Sequence, residues 1–175
     1  SKAYERAGNF IFEDSQQPNG DMIEERFPNE AGGQLFKVED WFEFDNNGFD
    51  IRAFDDGDLA RRTLNVGGQE TFLPGPYRFM FRKRSVNVGN SANDYSPIFS
   101  LIEAVSPAEN PNSPAVDPDV VGAFVNWEVW MRHFAVQRAV GNFDSYGWER
   151  GKNDYFYGTS NGFVHMPWDI DYSLG

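Results

Sequence analysis

The chain contains no cysteine. That absence removes disulfides, thiolate nucleophiles and cysteine-ligated zinc from its chemistry. Basic residues are scarce: 15 Lys and Arg stand against 27 Asp and Glu, for a net charge of −12. Such a field repels a nucleic-acid backbone or an anionic membrane, so a general DNA- or RNA-binding role is excluded. Long hydrophobic runs are missing as well. The most apolar window, Val120 to Val136, is interrupted by Asn126, Glu128, Arg132 and His133, and no membrane span is expected from it. No signal-peptide pattern, internal repeat or low-complexity tract is visible.

Aromatic side chains are abundant instead. Seventeen Phe, seven Tyr and five Trp in 175 residues supply the buried surface of one soluble domain with a substantial core. Residues 1–31 are polar, with turn signals at Pro18-Asn19-Gly20 and Pro28-Asn29. Gln34 to Val38 reads as a strand with Leu35 and Lys37 on one face and Phe36 and Val38 on the other. From Tyr77 to Arg84, aromatics alternate with Arg78, Met80, Arg82 and Arg84, the pattern of an extended strand with a cationic face. That face is read most simply as a charged sheet edge; more sharply, it offsets the negative field near a phosphate or an acidic substrate. Ile98, Phe99, Ile102 and Val105 recur at helical spacing. After a proline-marked loop, Asp117 as N-cap and Pro118 at the first helical position open a helix expected to reach about Val140, with Phe124, Trp130 and Phe134 in the core. Gly141-Asn142 stops it. Strands are expected near Asp154 to Tyr157 and Phe163 to Met166, around a turn at Asn161-Gly162.

The last third therefore runs helix, Gly141-Asn142-Phe143-Asp144, Asn153, hairpin, then Asp169 and Asp171. A kinase-type site uses such residues in such an order: one Asp orients or deprotonates the acceptor hydroxyl, and a later Asn and Asp hold magnesium on the nucleotide phosphates. Carboxylate and amide oxygens suit that hard cation. The stretches Ala135-Val136-Gln137-Arg138 to Asp144, Asn153-Asp154-Tyr155-Phe156-Tyr157 and Met166-Pro167-Trp168-Asp169-Ile170-Asp171 follow Asp94-Tyr95-Ser96 and Leu101-Ile102 in one ordered set. That set resembles the CotH kinase family, the spore-coat-type protein kinases, over roughly Gly32 to Gly175.

The resemblance implies an α+β, atypical protein-kinase-like fold of the CotH type, incomplete at both ends here, since the chain opens at Ser1 and stops inside a motif at Gly175. It implies a single domain over 1–175, mostly β-rich over 1–106, with a Pro-rich loop at 107–117. The long helix, catalytic loop and metal-binding motif then occupy 118–175. ATP and Mg2+ would be the cofactors, and a Ser or Thr hydroxyl of a surface or coat protein the acceptor. The location implied is secreted, cell-surface or spore-coat. Residue by residue, Lys37 would contact nucleotide phosphates and Asp144 would sit in the catalytic loop. Asn153 and Asp169 would hold the metal, with Asp171 a second candidate for that Asp. Asp144 and Asn153 stand nine apart, where such kinases often show about five, so residues within Gly147-Trp148-Glu149-Arg150 would loop out. No glycine-rich phosphate loop is evident.

Plainer readings stand beside these. Lys37 is read as a solvated edge residue, and Asp144 and Asn153 as turn caps. Asp169 and Asp171 beside Trp168 and Ile170 are costly to bury unpaired, which favours a cation nearby. His133 is read as a packing or surface residue and His165 as a structural one, too far apart in sequence to make a zinc site. Asp45-Asn46-Asn47-Gly48-Phe49-Asp50 is read as a turn, because its glycine is misplaced for an EF-hand loop. Two other functional classes remain: a non-catalytic CotH-like structural, coat or adhesin protein, and a calcium-dependent β-rich binding module.

Overall fold

The computed structural model describes residues 3–6, 9–12, 17–44, 51–85, 91–107, 116–148 and 151–170; within 3–6, 9–12, 41–44 and 51–55 it describes the backbone alone. The sequence candidates Asp171 and Asp45 to Asp50, and the centre of the Pro-rich loop, lie outside the described residues. Two units are present, Ser1–Ala31 and Gly32–Gly175. In the first, β1 (Ala3–Arg6) and β2 (Asn9–Phe12) form an antiparallel hairpin. Helix α1 (Gly20–Arg26) begins at Asn19, whose side-chain oxygen accepts from the Met22 amide, so the expected turn is also an N-cap.

The second unit is built on a four-stranded antiparallel sheet. Its strands are β3 (Leu35–Val38), β8 (Phe81–Lys83), β9 (Asp154–Thr159) and β10 (Gly162–Pro167), in the order β10-β9-β3-β8. Two further hairpins are β4 (Trp41–Phe44) with β5 (Ile51–Asp55), and β6 (Thr63–Val66) with β7 (Gln69–Phe72). Gly67 and Gly68 turn the latter with φ of +62° and +88°, the two left-handed positions of a tight hairpin turn. The fold is α+β with antiparallel sheets. No described helix is long and apolar enough to cross a membrane.

Register confirms the faces read from β3. Phe36 stands opposite Phe156 and Lys83, whereas Lys37 stands opposite Tyr155 and Arg82. The Phe36 face carries Val38, Phe81, Phe156 and Phe163 into the core. There they meet Ile98, Leu101 and Ile102 of α3 (Ser96–Val105), all fully buried. Each such side chain contributes roughly 1.5–3 kcal/mol through burial.

The expected strand from Tyr77 to Arg84 is instead a short helix, α2 (Tyr77–Met80), followed by β8. Proline explains the difference. Pro76 already has helical torsions (φ −55°, ψ −39°), and its carbonyl accepts from the amides of Phe79 and Met80. Helical spacing then buries Tyr77 and Met80 together and leaves Phe79 60% exposed. The three arginines consequently share no continuous face: Arg78 lies over the Tyr95 ring, Arg82 pairs with Glu39, and Arg84 is exposed.

The single helix expected from Pro118 to about Val140 forms as two, α4 (Pro118–Gly122) and α5 (Trp127–Ala139). Strand β10 claims the backbone between them. Phe163 donates to the Phe124 carbonyl at 2.7 Å, and its own carbonyl accepts from the Asn126 amide at 3.0 Å and from Trp130 Nε1 at 2.7 Å. Gly162 permits this approach: at φ +90°, a Cβ there would lie 2.7 Å from the Phe124 carbonyl carbon. Asn126 restarts the helix by accepting from the Val129 amide. Of the three aromatics expected in the core, Trp130 is buried, while Phe124 and Phe134 pack partly buried against it.

Candidate phosphoryl-transfer site and the cluster behind it

Helix α5 ends where Gly141-Asn142 is expected to stop it. Gly141, at φ +70°, donates to the Arg138 carbonyl, and the Asn142 amide donates to the Gln137 carbonyl. This bond pair is the Schellman arrangement, which turns the chain sharply off the helix. Asn142 Nδ2 also donates to Gln137 Oε1 at 2.9 Å, and Ser145 Oγ donates to the Asn142 carbonyl at 2.8 Å. The turn that follows presents Asp144. Its outer end is fastened by Arg138, which donates to the Gly147 carbonyl and lies 4.0 Å from the centre of the Trp148 ring.

The nine-residue separation does not keep Asp144 and Asn153 apart. Asn153 Nδ2 donates to Asp144 Oδ2 at 2.7 Å and to the Asp144 carbonyl at 3.2 Å. Lys152 Nζ lies 3.0 Å from the same carboxylate oxygen. A close backbone crossing carries these residues into place: Gly57 donates to the Gly151 carbonyl at 3.0 Å, and a Cβ on either glycine would collide with the other's backbone. The residue before Asn153 was not singled out in the sequence, yet Lys152 is the cation that Asp144 meets. Only its position beside the Asn could have pointed to it.

Asp169 is brought to the same end of the β9–β10 hairpin. Pro167 pairs with Asp154, and the Trp168 amide donates to the Asn153 carbonyl at 2.9 Å. Both Asn153 (φ +59°) and Asp169 (φ +54°) are left-handed, a conformation that Asn and Asp tolerate better than most residues. Asp169 is exposed and Ile170 is 52% exposed, so the burial cost expected for this carboxylate does not arise. Lys37, half-buried on β3, bonds Glu39 Oε1 at 2.6 Å, and Arg82 holds the other Glu39 oxygen at 2.8 Å. Burial works to raise the Glu39 pKa, but its bonds to Lys37 and Arg82 outweigh that and hold it below the ordinary value. Opposite Lys37 stands Tyr155, whose ring meets Trp168 edge-on at 5.9 Å.

The other face of β9 holds the residues that sequence separation concealed. Asp154 is fully buried; its Oδ2 accepts from the Tyr146 amide at 2.8 Å. Its Oδ1 lies 3.1 Å from His133 Nε2 and 3.3 Å from His165 Nε2. The two histidines, far apart in sequence, stack with ring centres 3.7 Å apart. Separation along the chain therefore misjudged them, because α5 packs directly on β10. Burial lowers the His165 pKa, against the pull of the Asp154 carboxylate.

Residues 11–175 match the protein family described as CotH kinase protein. The chain belongs to the CotH kinase family. No curated protein and no solved structure gives a significant match.

Proposed function

We propose that the protein is an ATP- and magnesium-dependent protein kinase with a kinase-like fold of the CotH type, acting on Ser or Thr hydroxyls of a secreted, surface or coat protein. The observation that carries this reading is the Asp144–Asn153 bond at 2.7 Å, formed beside the turn that delivers Asp169. Asn153 uses its amide hydrogens on Asp144, so Oδ1 is the atom it has left for a cation. That oxygen and the exposed Asp169 carboxylate form a hard, oxygen-only donor set suited to magnesium, with Asp171 as a further candidate. When bound, magnesium would neutralise the charge of the β- and γ-phosphates.

The chain's own residues do the remaining work. The acceptor oxygen attacks the γ-phosphorus while its proton passes to Asp144 Oδ1, since Oδ2 is already held by Asn153 and Lys152. The bond from the γ-phosphorus to the bridging oxygen breaks and ADP leaves. Lys152, 3.0 Å from Asp144 Oδ2, keeps the carboxylate oriented and supplies positive charge where the phosphoryl group passes. Lys37 contacts the nucleotide phosphates, exchanging its bond to Glu39 for one to phosphate or sharing it. Tyr155 and Trp168 form the apolar wall between Lys37 and the Asp169 turn.

The test is calorimetry with ATP and magnesium, paired with transfer of labelled γ-phosphate to a serine-rich peptide or to the protein itself. Asp169→Ala should abolish magnesium-dependent nucleotide binding. Asp144→Asn should retain that binding and lose transfer. Equal loss of binding in both variants would mean the roles are misassigned. An unaltered protein that binds no nucleotide would point to the non-catalytic, structural relative.

A further inference from the structure

We propose that His133, Asp154 and His165 together hold one divalent transition-metal ion, best matched by zinc, as a staple between α5 and the β9–β10 hairpin. The three donor atoms lie within 4.8 Å of one another, with Asp154 Oδ1 at 3.1 and 3.3 Å from the two Nε2 atoms. Zinc bonded at about 2.0–2.1 Å to nitrogen and carboxylate oxygen in a tetrahedral shell spaces its ligands by roughly 3.3 Å. The observed gaps match that spacing.

Hydrogen bonding does not account for the cluster. His133 Nε2, Asp154 Oδ1 and both ring nitrogens of His165 are buried without an adequately aligned partner. Four such atoms in one place are exceptional in a folded protein, where nearly all buried polar groups find a partner. Protonating both rings would set two like charges 3.7 Å apart. A divalent ion resolves most of this: it takes the two Nε2 lone pairs and balances the carboxylate, leaving only the His165 Nδ1 hydrogen without a partner.

The surroundings are dry. Trp130, Phe134, Tyr146 and Phe156 all place their ring centres 4.9 to 5.6 Å from that of His165. Three protein donors is the number found in catalytic zinc sites, but the side chains here are at most 4% exposed. With no room for a substrate, and the fourth position left to at most one water, the role is structural. The Tyr146 amide, two residues beyond Asp144, bonds the same carboxylate, so the ion would also stiffen the loop that carries Asp144. Its donors differ in kind from the oxygen-only set on the other side of β9, and the inference stands whether or not the chain transfers phosphate.

The chain suits a clean experiment, since its two histidines are both in the cluster and it has no cysteine. Untagged protein is stripped with a chelator, held in excess magnesium without nucleotide, and titrated with zinc against a chromophoric competitor. One zinc per chain is expected, with a rise in melting temperature. His165→Phe, which conserves the aromatic packing, should lose more than the roughly 10–100-fold in affinity that loss of an outer hydrogen-bond partner costs. Its melting temperature should no longer respond to zinc. No stoichiometric zinc in the unaltered protein, or equal affinity in His165→Phe, overturns the proposal. If His165→Phe does not fold, the cobalt(II) spectrum of the unaltered chain decides. Intense visible bands of a low-symmetry, four-coordinate site support the inference, and the weak spectrum of a hydrated octahedral ion overturns it.

Discussion

Asn153 and Asp154 are adjacent in sequence, yet they serve opposite sides of the start of β9. Asn153 joins Asp144 and Lys152 in a set whose polar atoms find one another at 2.7 and 3.0 Å, next to the exposed Asp169. Asp154 points into an aromatic enclosure where its Oδ1 and two imidazoles approach without a proper hydrogen bond. One side is polar and partnered, with Asp144 itself buried and Asp169 exposed at its edge. The other is dry and electrically incomplete. The left-handed turn at Asn153, just before the strand begins, separates them, and the Tyr146 amide couples them, because the buried carboxylate holds the loop of the reactive one. The difference argues for division of labour: chemistry in front, rigidity behind.

The sharpest way to break this comparison is to neutralise each side. Asp144→Asn should lower phosphoryl transfer by about 10²–10⁴, the usual contribution of a positioned general base, with nucleotide binding retained in calorimetry. If transfer persists at the unaltered rate, the front side is not where the chemistry occurs. Asp154→Ala should act on stability instead. It strands the Tyr146 amide, at a cost of about 1–3 kcal/mol read from the denaturant midpoint. Asp169→Asn, which removes an exposed charge and tolerates the same left-handed backbone, should stay within about 0.5 kcal/mol of the unaltered protein in the same measurement. A reversal of that order would erase the distinction between the two sides.

Much of this arrangement was legible in the sequence, because local signals carried it. Period-two alternation identified the faces of β3, the turn at Asn161-Gly162 set β9 and β10 around it, helical spacing identified α3, and Gly141-Asn142 marked the end of α5. The ordered set from Asp144 to Asp169 named the family. What escaped was decided by contacts distant in sequence. The break at 123–126 comes from hydrogen bonds to Phe163, some 40 residues later, and the apolar stripe alone ran straight through it. Alternation from Tyr77 to Arg84 lost to the helical turn preset by Pro76. Lys152 and the pairing of His133 with His165 were invisible because neither carries a spacing signal; each exists only once α5, the Asp144 loop and the hairpin have packed.

Packing between α5 and β10 sharpens the comparison further, since both sides depend on it. Trp130 Nε1 donates to the Phe163 carbonyl at 2.7 Å in a buried setting, and the Asn126 amide shares that acceptor. Trp130→Phe keeps most of the apolar contact and removes one bond. The expected loss is about 0.5–1.5 kcal/mol, measured by chemical unfolding. Transfer activity per folded molecule should be unchanged; a large fall in activity would show that front-side geometry tolerates no movement of the helix.

The smallest effect concerns Glu39, which lies beside Lys37 and away from the buried cluster. Its carboxyl is held below the ordinary value of 4.5 in the folded protein. A carboxylate with a depressed folded pKa stabilises the protein fully above its unfolded pKa, and that contribution disappears as pH falls through the folded value. The window therefore opens near pH 4.5 and extends downward. Other carboxylates, Asp94 among them, titrate in the same window, so the difference between the unaltered protein and a Glu39 variant is what isolates the Glu39 share. Glu39→Gln should flatten this part of the stability-against-pH curve by less than about 1 kcal/mol, as expected for an ion pair with partly exposed partners. At pH 7 the same variant should release Lys37 from its strongest partner. If Lys37 contacts nucleotide phosphates, ATP affinity should hold or rise in Glu39→Gln. A marked fall would instead make the Lys37–Glu39 pair, rather than Lys37 alone, the unit that receives the nucleotide.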